Sequence, residues 1–252
     1  MKLKNKIVLT VGAVGAAVAS FLAFADDVYL GTVELPESFT LTAHTGCSGT
    51  KDNSLDAITL GFGYGADIVE FDLFFDKNGK AVMSHDEPAG NVFTVEQAFE
   101  LISGYKGLRV NVDVKRTDDL KQVVLLAQKY GIADRIFYTG ITEDTVEAVK
   151  EQTPEILYYL NTDIDSSRKE DDAYINELIE KVSSLGAAGL NIHHSGCSEK
   201  MVELFHKSGL QVSVWTVNKK KDMYKALSMK CDNITTRHPE VLKELIDKTK
   251  NR

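Results

Sequence analysis

Three adjoining stretches decide the fold: Asp67-Ile68-Val69-Glu70-Phe71-Asp72-Leu73, then Phe74-Phe75-Asp76-Lys77-Asn78-Gly79-Lys80, then Ala81-Val82-Met83-Ser84-His85-Asp86. The first is a β-rich run with acids at alternate positions. Residues at i and i+2 of a strand face one side, so Glu70 and Asp72 aim together. Asp76–Lys80 reads as a hairpin turn leading into a short returning run over Ala81–Ser84. Outward from this centre, β-rich runs occur at Phe39–Ala43, Leu108–Val114, Arg135–Tyr138, Ile156–Leu160, Gly189–Ile192, Gln211–Trp215 and Asn233–Thr235. Amphipathic segments near 54–63, 94–104, 117–130, 143–151, 170–185, 198–208, 219–228 and 239–249 separate them. Tyr130-Gly131 and Ser208-Gly209 punctuate the places where a helix hands over to a strand. Eight β–α alternations without a long linker predict a (β/α)8 barrel of the α/β class. An open doubly wound sheet is the competitor, but no G-x-G-x-x-G follows the first strand. After His85, about 22 residues precede the next barrel strand, which leaves room for one helix and only a minimal insertion.

The 252 residues carry 29 Lys+Arg against 37 Asp+Glu, a formal charge of −8 that argues against a nucleic-acid partner. With 43% hydrophobic residues the chain has enough apolar side chains for a large core, which excludes disorder as its main theme. Cys47, Cys197 and Cys231 are too few and scattered for a disulfide scaffold or a cysteine zinc site. The strands bearing them are not adjacent, so no pairing between them is expected. Lys2, Lys4 and Lys6 precede an uncharged, mainly apolar run over 7–25 that ends in Ala23-Phe24-Ala25. That is the pattern of a secretory leader, or of an uncleaved anchor that would hold the chain at a membrane through 7–25. Residues 1–25 are thus expected to be a signal peptide or membrane anchor, and 26–252 a single barrel domain outside the cytoplasm. No cysteine follows the small residues, so lipoprotein processing is not expected. The oligomeric state leaves no mark in the sequence.

A barrel places its active site at the C-terminal ends of its strands. Those ends here carry His44, the pair Glu70 and Asp72, His85-Asp86 after the hairpin, and Asp113 with Lys115. Three carboxylates converging on one mouth repel one another unless a cation lies between them. An all-oxygen set suits a hard ion, Mg²⁺ or Ca²⁺. Two histidines beside it can act as base and acid near neutral pH. The constellation points to metal-assisted phosphoryl chemistry.

His44-x-Gly46, Asp52-Asn53-Ser54, Glu70-x-Asp72, the Asp76–Gly79 turn, His85-Asp86, Asp113-x-Lys115, Trp215-Thr216-Val217-Asn218 and the closing Thr235-Thr236-Arg237-His238-Pro239 share one order and spacing. In both, the chain resembles the glycerophosphodiester phosphodiesterase family, within the phospholipase-C-like phosphodiesterase superfamily. The resemblance covers roughly residues 39–242. It implies that His44 and His85 are general base and acid, and that Glu70, Asp72 and Asp113 hold one divalent cation. It also implies that Lys115 neutralises the phosphate, that Trp215 packs against the glycerol or head group, and that Asn53 contributes to substrate binding. The substrate so implied is a small phosphodiester, cleaved to sn-glycerol 3-phosphate and an alcohol by way of a cyclic phosphate.

Four departures accompany the resemblance. The family's Arg after the first His is Thr45, a loss of phosphate binding unless another cation substitutes. Its Glu-Asn-Thr is Asp52-Asn53-Ser54, its third metal Glu is Asp113, and its long insertion after the second His is nearly absent. Two other readings stay open at this point. One is a lipid-directed phosphodiesterase or lyase of sphingomyelinase D-like or phosphatidylinositol phospholipase-like type. The other is a catalytically weakened binding paralogue. Structural roles also stand beside the functional ones: Asp52–Ser54 as a helix cap, Lys115 as an ion-pair partner, Trp215 as core. His193-His194 reads as a substrate contact rather than a metal site, and Cys47 has no base beyond His44 that would make it a nucleophile.

Overall fold

The computed structural model describes residues 34–250. The expected leader over residues 1–25 lies outside them. The strands are β1 (Thr40–Ala43), β2 (Ile68–Phe75), β3 (Ala81–Met83), β4 (Arg109–Val114), β5 (Ile136–Ile141), β6 (Tyr158–Asn161), β7 (Gly189–His193), β8 (Gln211–Trp215) and β9 (Asn233–Thr236). Eight of them pair in parallel, in the order β1-β2-β4-β5-β6-β7-β8-β9. β9 returns to β1, with Thr40 opposite Asn233 and Ala43 opposite Thr236. The ring closes, and the (β/α)8 barrel read from the alternation is the fold. β3 is the returning hairpin, antiparallel to β2 with Leu73 opposite Met83, and stands outside the ring.

The helices are α1 (Leu55–Gly63), α2 (Val95–Ser103), α3 (Leu120–Lys129), α4 (Val146–Gln152), α5 (Asp172–Leu185), α6 (Glu199–Lys207), α7 (Lys220–Ser228) and α8 (Pro239–Lys250). Polar residues start many of them by satisfying orphan amides: Ser54 for α1, Asp171 for α5, Ser198 for α6. Thr94 and Gln97 form a reciprocal capping box on α2. Only α2 lies between β3 and β4, so the minimal insertion expected there is the one observed. No helix among the described residues is long and apolar enough to cross a membrane.

Alternation along the strands separates two environments. Val69, Phe71 and Leu73 of β2, with Val110, Val112 and Val114 of β4, join the main apolar cluster shared with the helices. Ile68, Glu70 and Asp72 of β2 and Arg109, Asn111 and Asp113 of β4 alternate with them and face the lumen. Burying each such apolar side chain stabilises the fold by about 1.5–3 kcal/mol. The apolar part of the lumen is a small separate cluster of Ile68, Phe137 and Tyr159.

Above that cluster the lumen is polar and hydrogen-bonded from strand to strand. Thr42 Oγ1 donates to Asn233 Oδ1 (2.6 Å), and Asn233 Nδ2 donates to Ser213 Oγ (2.9 Å). Ser213 Oγ donates to Asn191 Oδ1 (2.8 Å), and Asn191 Nδ2 to Asn161 Oδ1 (3.2 Å). Buried polar groups are tolerated when they satisfy one another in this way.

The described cysteines form no disulfide, as expected, although two of them lie close together. Cys197 and Cys231 are buried free thiols whose sulfurs approach to 3.8 Å. Strand adjacency does not govern their approach, because both residues lie outside the strands, just before α6 and β9.

Candidate active site

The C-terminal mouth of the barrel holds a cavity of about 360 Å³ that brings together His44, Asn53, Glu70, Asp72, His85, Asp113, Lys115 and Trp215. All eight residues singled out from sequence line it. Asp72 and Asp113 are register partners on β2 and β4, and Glu70 precedes Asp72 on the same face. One carboxylate oxygen from each of the three comes within 4.8 Å of the others. Glu70 is buried, and its Oε2 accepts a hydrogen bond from the Thr45 amide (2.7 Å). Burial, and then the charges of Asp72 and Asp113, push the Glu70 carboxyl well above the usual range. Three crowded oxygen donors under that repulsion fit a hard divalent ion, which would relieve it.

Lys115 Nζ lies 3.0 Å from Asp72 Oδ1 and 2.7 Å from Asp113 Oδ2. Burial alone would lower its pKa, but the Asp113 and Asp72 carboxylates outweigh burial and raise it, so the ammonium stays charged. Thr139 Oγ1 lies 2.8 Å from Asn111 Oδ1 and 3.2 Å from Asp113 Oδ1, on the cavity side of β5. Gly140 next to it has φ +74°, and a Cβ there would fall 2.4 Å from Asp113 Oδ1. Only glycine lets β5 pass this close to the carboxylate.

His44 follows β1, with its amide anchored on the Thr236 carbonyl (2.9 Å). Its Nδ1 lies 2.7 Å from the Thr45 carbonyl oxygen. A carbonyl only accepts, so the proton sits on Nδ1 and Nε2 keeps its lone pair. Burial lowers the pKa of this imidazole, which favours the neutral form. His85 is carried differently. It follows β3 on the hairpin, its side chain is 64% exposed, and Nδ1 is 3.1 Å from Asp86 Oδ1.

Asp52-Asn53-Ser54 divides into three tasks. Ser54 caps α1. Asn53 adopts φ +55°, where its Nδ2 donates to Asp72 Oδ2 (2.8 Å) and its Oδ1 accepts from the Asp72 amide (2.9 Å). Asn53 thus orients a carboxylate of the acidic trio. Thr45 in turn holds Asn53, accepting its backbone N–H at Oγ1 (2.5 Å). Asp52 pairs with Arg237, Oδ1 to Nη1 at 2.7 Å and Oδ2 to Nη2 at 3.2 Å.

Trp215 ends β8 half-exposed, and His193 packs against it edge-on with ring centroids 5.8 Å apart. Cys47 is sealed in the core, where burial and the nearby Glu240 charge push its thiol up to about 11, so it is no nucleophile. Sequence reasoning missed the polar floor of Asn111, Thr139, Asn161 and Asn191, and gave Arg237 no role. The floor was signalled by asparagine and threonine at lumen-facing strand positions. Arg237 was signalled only by following the last strand.

The family model of the glycerophosphoryl diester phosphodiesterases matches residues 93–241. The glycerophosphodiester phosphodiesterase of Caldanaerobacter subterraneus is 26% identical over 248 residues, covering 82% of this chain and 97% of that protein. Among solved structures, an Oleispira antarctica phosphodiesterase in complex with the product sn-glycerol-3-phosphate has a TM-score of 0.67 at 21% identity, covering 84% of this chain and 97% of that one. The Thermotoga maritima glycerophosphodiester phosphodiesterase has a TM-score of 0.61 at 20% identity, covering 82% and 98%. These two structures share the barrel, while the family match spans most of the chain, from just before α2 to the first turn of α8. The chain belongs to the glycerophosphoryl diester phosphodiesterase family, a family of phosphodiester-cleaving hydrolases.

Proposed function

We propose that the protein cleaves glycerophosphodiesters to sn-glycerol 3-phosphate and an alcohol, with a divalent cation, outside the cytoplasm. The carrying observation is one cavity that holds His44, with its Nε2 lone pair free, beside Glu70, Asp72, Asp113 and Lys115. The Oleispira antarctica relative, whose structure contains sn-glycerol-3-phosphate, supports the substrate class. The extracytoplasmic location rests on the basic and apolar pattern of residues 1–25.

In this mechanism a glycerol hydroxyl neighbouring the phosphoester attacks phosphorus while His44 Nε2 takes its proton. The bond from phosphorus to the alcohol oxygen breaks, and His85 protonates the departing alcohol. Water then opens the cyclic phosphate with the proton roles reversed, leaving sn-glycerol 3-phosphate. Lys115 places a fixed positive charge beside the phosphoryl oxygens, and Trp215 offers an apolar wall to glycerol. Bound by Glu70, Asp72 and Asp113, a Mg²⁺ or Ca²⁺ ion would supply further neutralisation of phosphoryl charge.

The test is release of glycerol 3-phosphate from a panel of deacylated and intact phospholipids by the purified protein. The expected outcome is turnover of deacylated substrates, lost in excess chelator and restored by added Mg²⁺ or Ca²⁺. Full turnover in chelator would remove the metal from the mechanism. Cleavage confined to intact bilayer lipid would replace this reading with a lipid-directed one.

A further inference from the structure

We infer that Arg237 is the phosphate-binding guanidinium of this site, reaching the substrate from the segment after β9. The inference rests on the reading that the cavity takes a glycerophosphodiester. Among the described residues, Lys115 and Arg237 are the permanently cationic side chains that line the cavity. Lys115 sits between Asp72 and Asp113, whose charges offset much of its own, so it does not replace a forked phosphate donor. Thr45, beside the base His44, carries no charge and is buried while holding Asn53.

Arg237 is built into place. Its amide donates to Asn218 Oδ1 (2.9 Å), and its carbonyl accepts from the Ser48 amide (2.8 Å). The guanidinium and the Asp52 carboxylate lie against Gly46, two residues from His44. A Cβ on Gly46, where φ is +70°, would fall 2.5 Å from Arg237 Nη1 and 1.9 Å from Asp52 Oδ1. The backbone of the His44–Gly46 turn is therefore left bare where the guanidinium sits. Its charge is close enough to help lower the His44 pKa, behind the larger effect of burial.

The guanidinium also has donors to spare. A guanidinium carries five N–H groups, and the bonds to Asp52 run through Nη1 and Nη2, so an edge that includes Nε–H remains for a second forked contact. The ion pair is partly exposed, 37% at Arg237 and 54% at Asp52, so the guanidinium is open to a ligand in the cavity. A guanidinium pinned by its backbone, oriented by Asp52 and lining the cavity suits a phosphoryl group. Planar forked recognition of phosphate is what distinguishes Arg from Lys.

The test is calorimetric titration of sn-glycerol 3-phosphate into the Mg²⁺-loaded full chain, beside steady-state hydrolysis of a glycerophosphodiester. Arg237→Gln is expected to weaken binding by about 10- to 100-fold, the range of one charge-assisted forked contact, with a matching fall in kcat/KM. Arg237→Lys keeps the charge without the fork and should lose less. Native-like binding in a folded Arg237→Gln protein overturns the inference. Asp52→Asn guards against a purely structural role for the pair. Binding retained or tightened in Asp52→Asn supports the inference, whereas a loss equal to that of Arg237→Gln overturns it. A native chain that binds glycerol 3-phosphate through Arg237 but hydrolyses no diester would sink the proposed function and leave this phosphate site standing. Hydrolysis with binding indifferent to Arg237 would do the reverse.

Discussion

Along β4, Val110, Val112 and Val114 pack outward against the helical layer, while Asn111 and Asp113 line the cavity and Arg109 lies at the opposite end of the lumen. The other staves repeat the contrast. Leu190 and Ile192 of β7 belong to the outer core, and Asn191 between them bonds its neighbours inside the ring. Barrels of this class usually fill the lumen with branched aliphatic side chains. Here the outer face supplies cohesion, and the inner face, from its middle upward, is a hydrogen-bonded support for a charged site. Stability and chemistry are therefore divided between two surfaces of one sheet.

That division can be broken by experiment. The largest effect is expected on the inner face, where His44→Ala should lower kcat by about 10²- to 10⁴-fold, the contribution of a positioned general base. Its thermal unfolding should stay close to native; a large fall in Tm would show that the site also holds the barrel together. Next comes the outer layer. Phe205 of α6 is fully buried, so Phe205→Ala should cost about 3–5 kcal/mol and lower Tm by roughly 6–20 °C. Turnover per folded molecule should survive, as measured by activity normalised to the folded fraction. Smallest is a cut in the polar belt. Asn191→Ala leaves Ser213 Oγ and Asn161 Oδ1 each short of a partner, at a cost of about 1–3 kcal/mol by denaturant unfolding. A neutral result there would mean that the belt is held by its other members.

The same division explains what could be read from the chain. Strands buried on both faces by apolar side chains read as continuous hydrophobic runs, which are hard to tell from buried helix. Because the lumen is polar, Val69-Glu70-Phe71-Asp72 and Val110-Asn111-Val112-Asp113 alternate as half-exposed strands do, and the barrel stood out. The acidic trio was legible for the same local reason, since i and i+2 spacing places Glu70 beside Asp72. Arg237 was not legible as a site residue. Its neighbours Gly46 and Asp52 lie about 190 residues away in sequence, and the register of β9 on β1 sets their approach. The bond from Asn53 to Asp72 was not legible either, because it follows from a left-handed backbone angle that no pattern in the sequence announces. The nearness of Cys197 to Cys231 was hidden likewise, because packing outside the strands determines it.

The seam between β1 and β9 fixes when the protein can act. His44 is anchored on Thr236, and Asp52 on Arg237 across 185 residues of chain. A polypeptide still emerging from the ribosome holds the carboxylates and both histidines long before it holds the strand that closes the ring. Contacts of such separation form late, because the intervening loop entropy must be paid first. Hydrolytic competence therefore needs the last strand, since without β9 the His44 amide loses Thr236 and Asp52 loses Arg237.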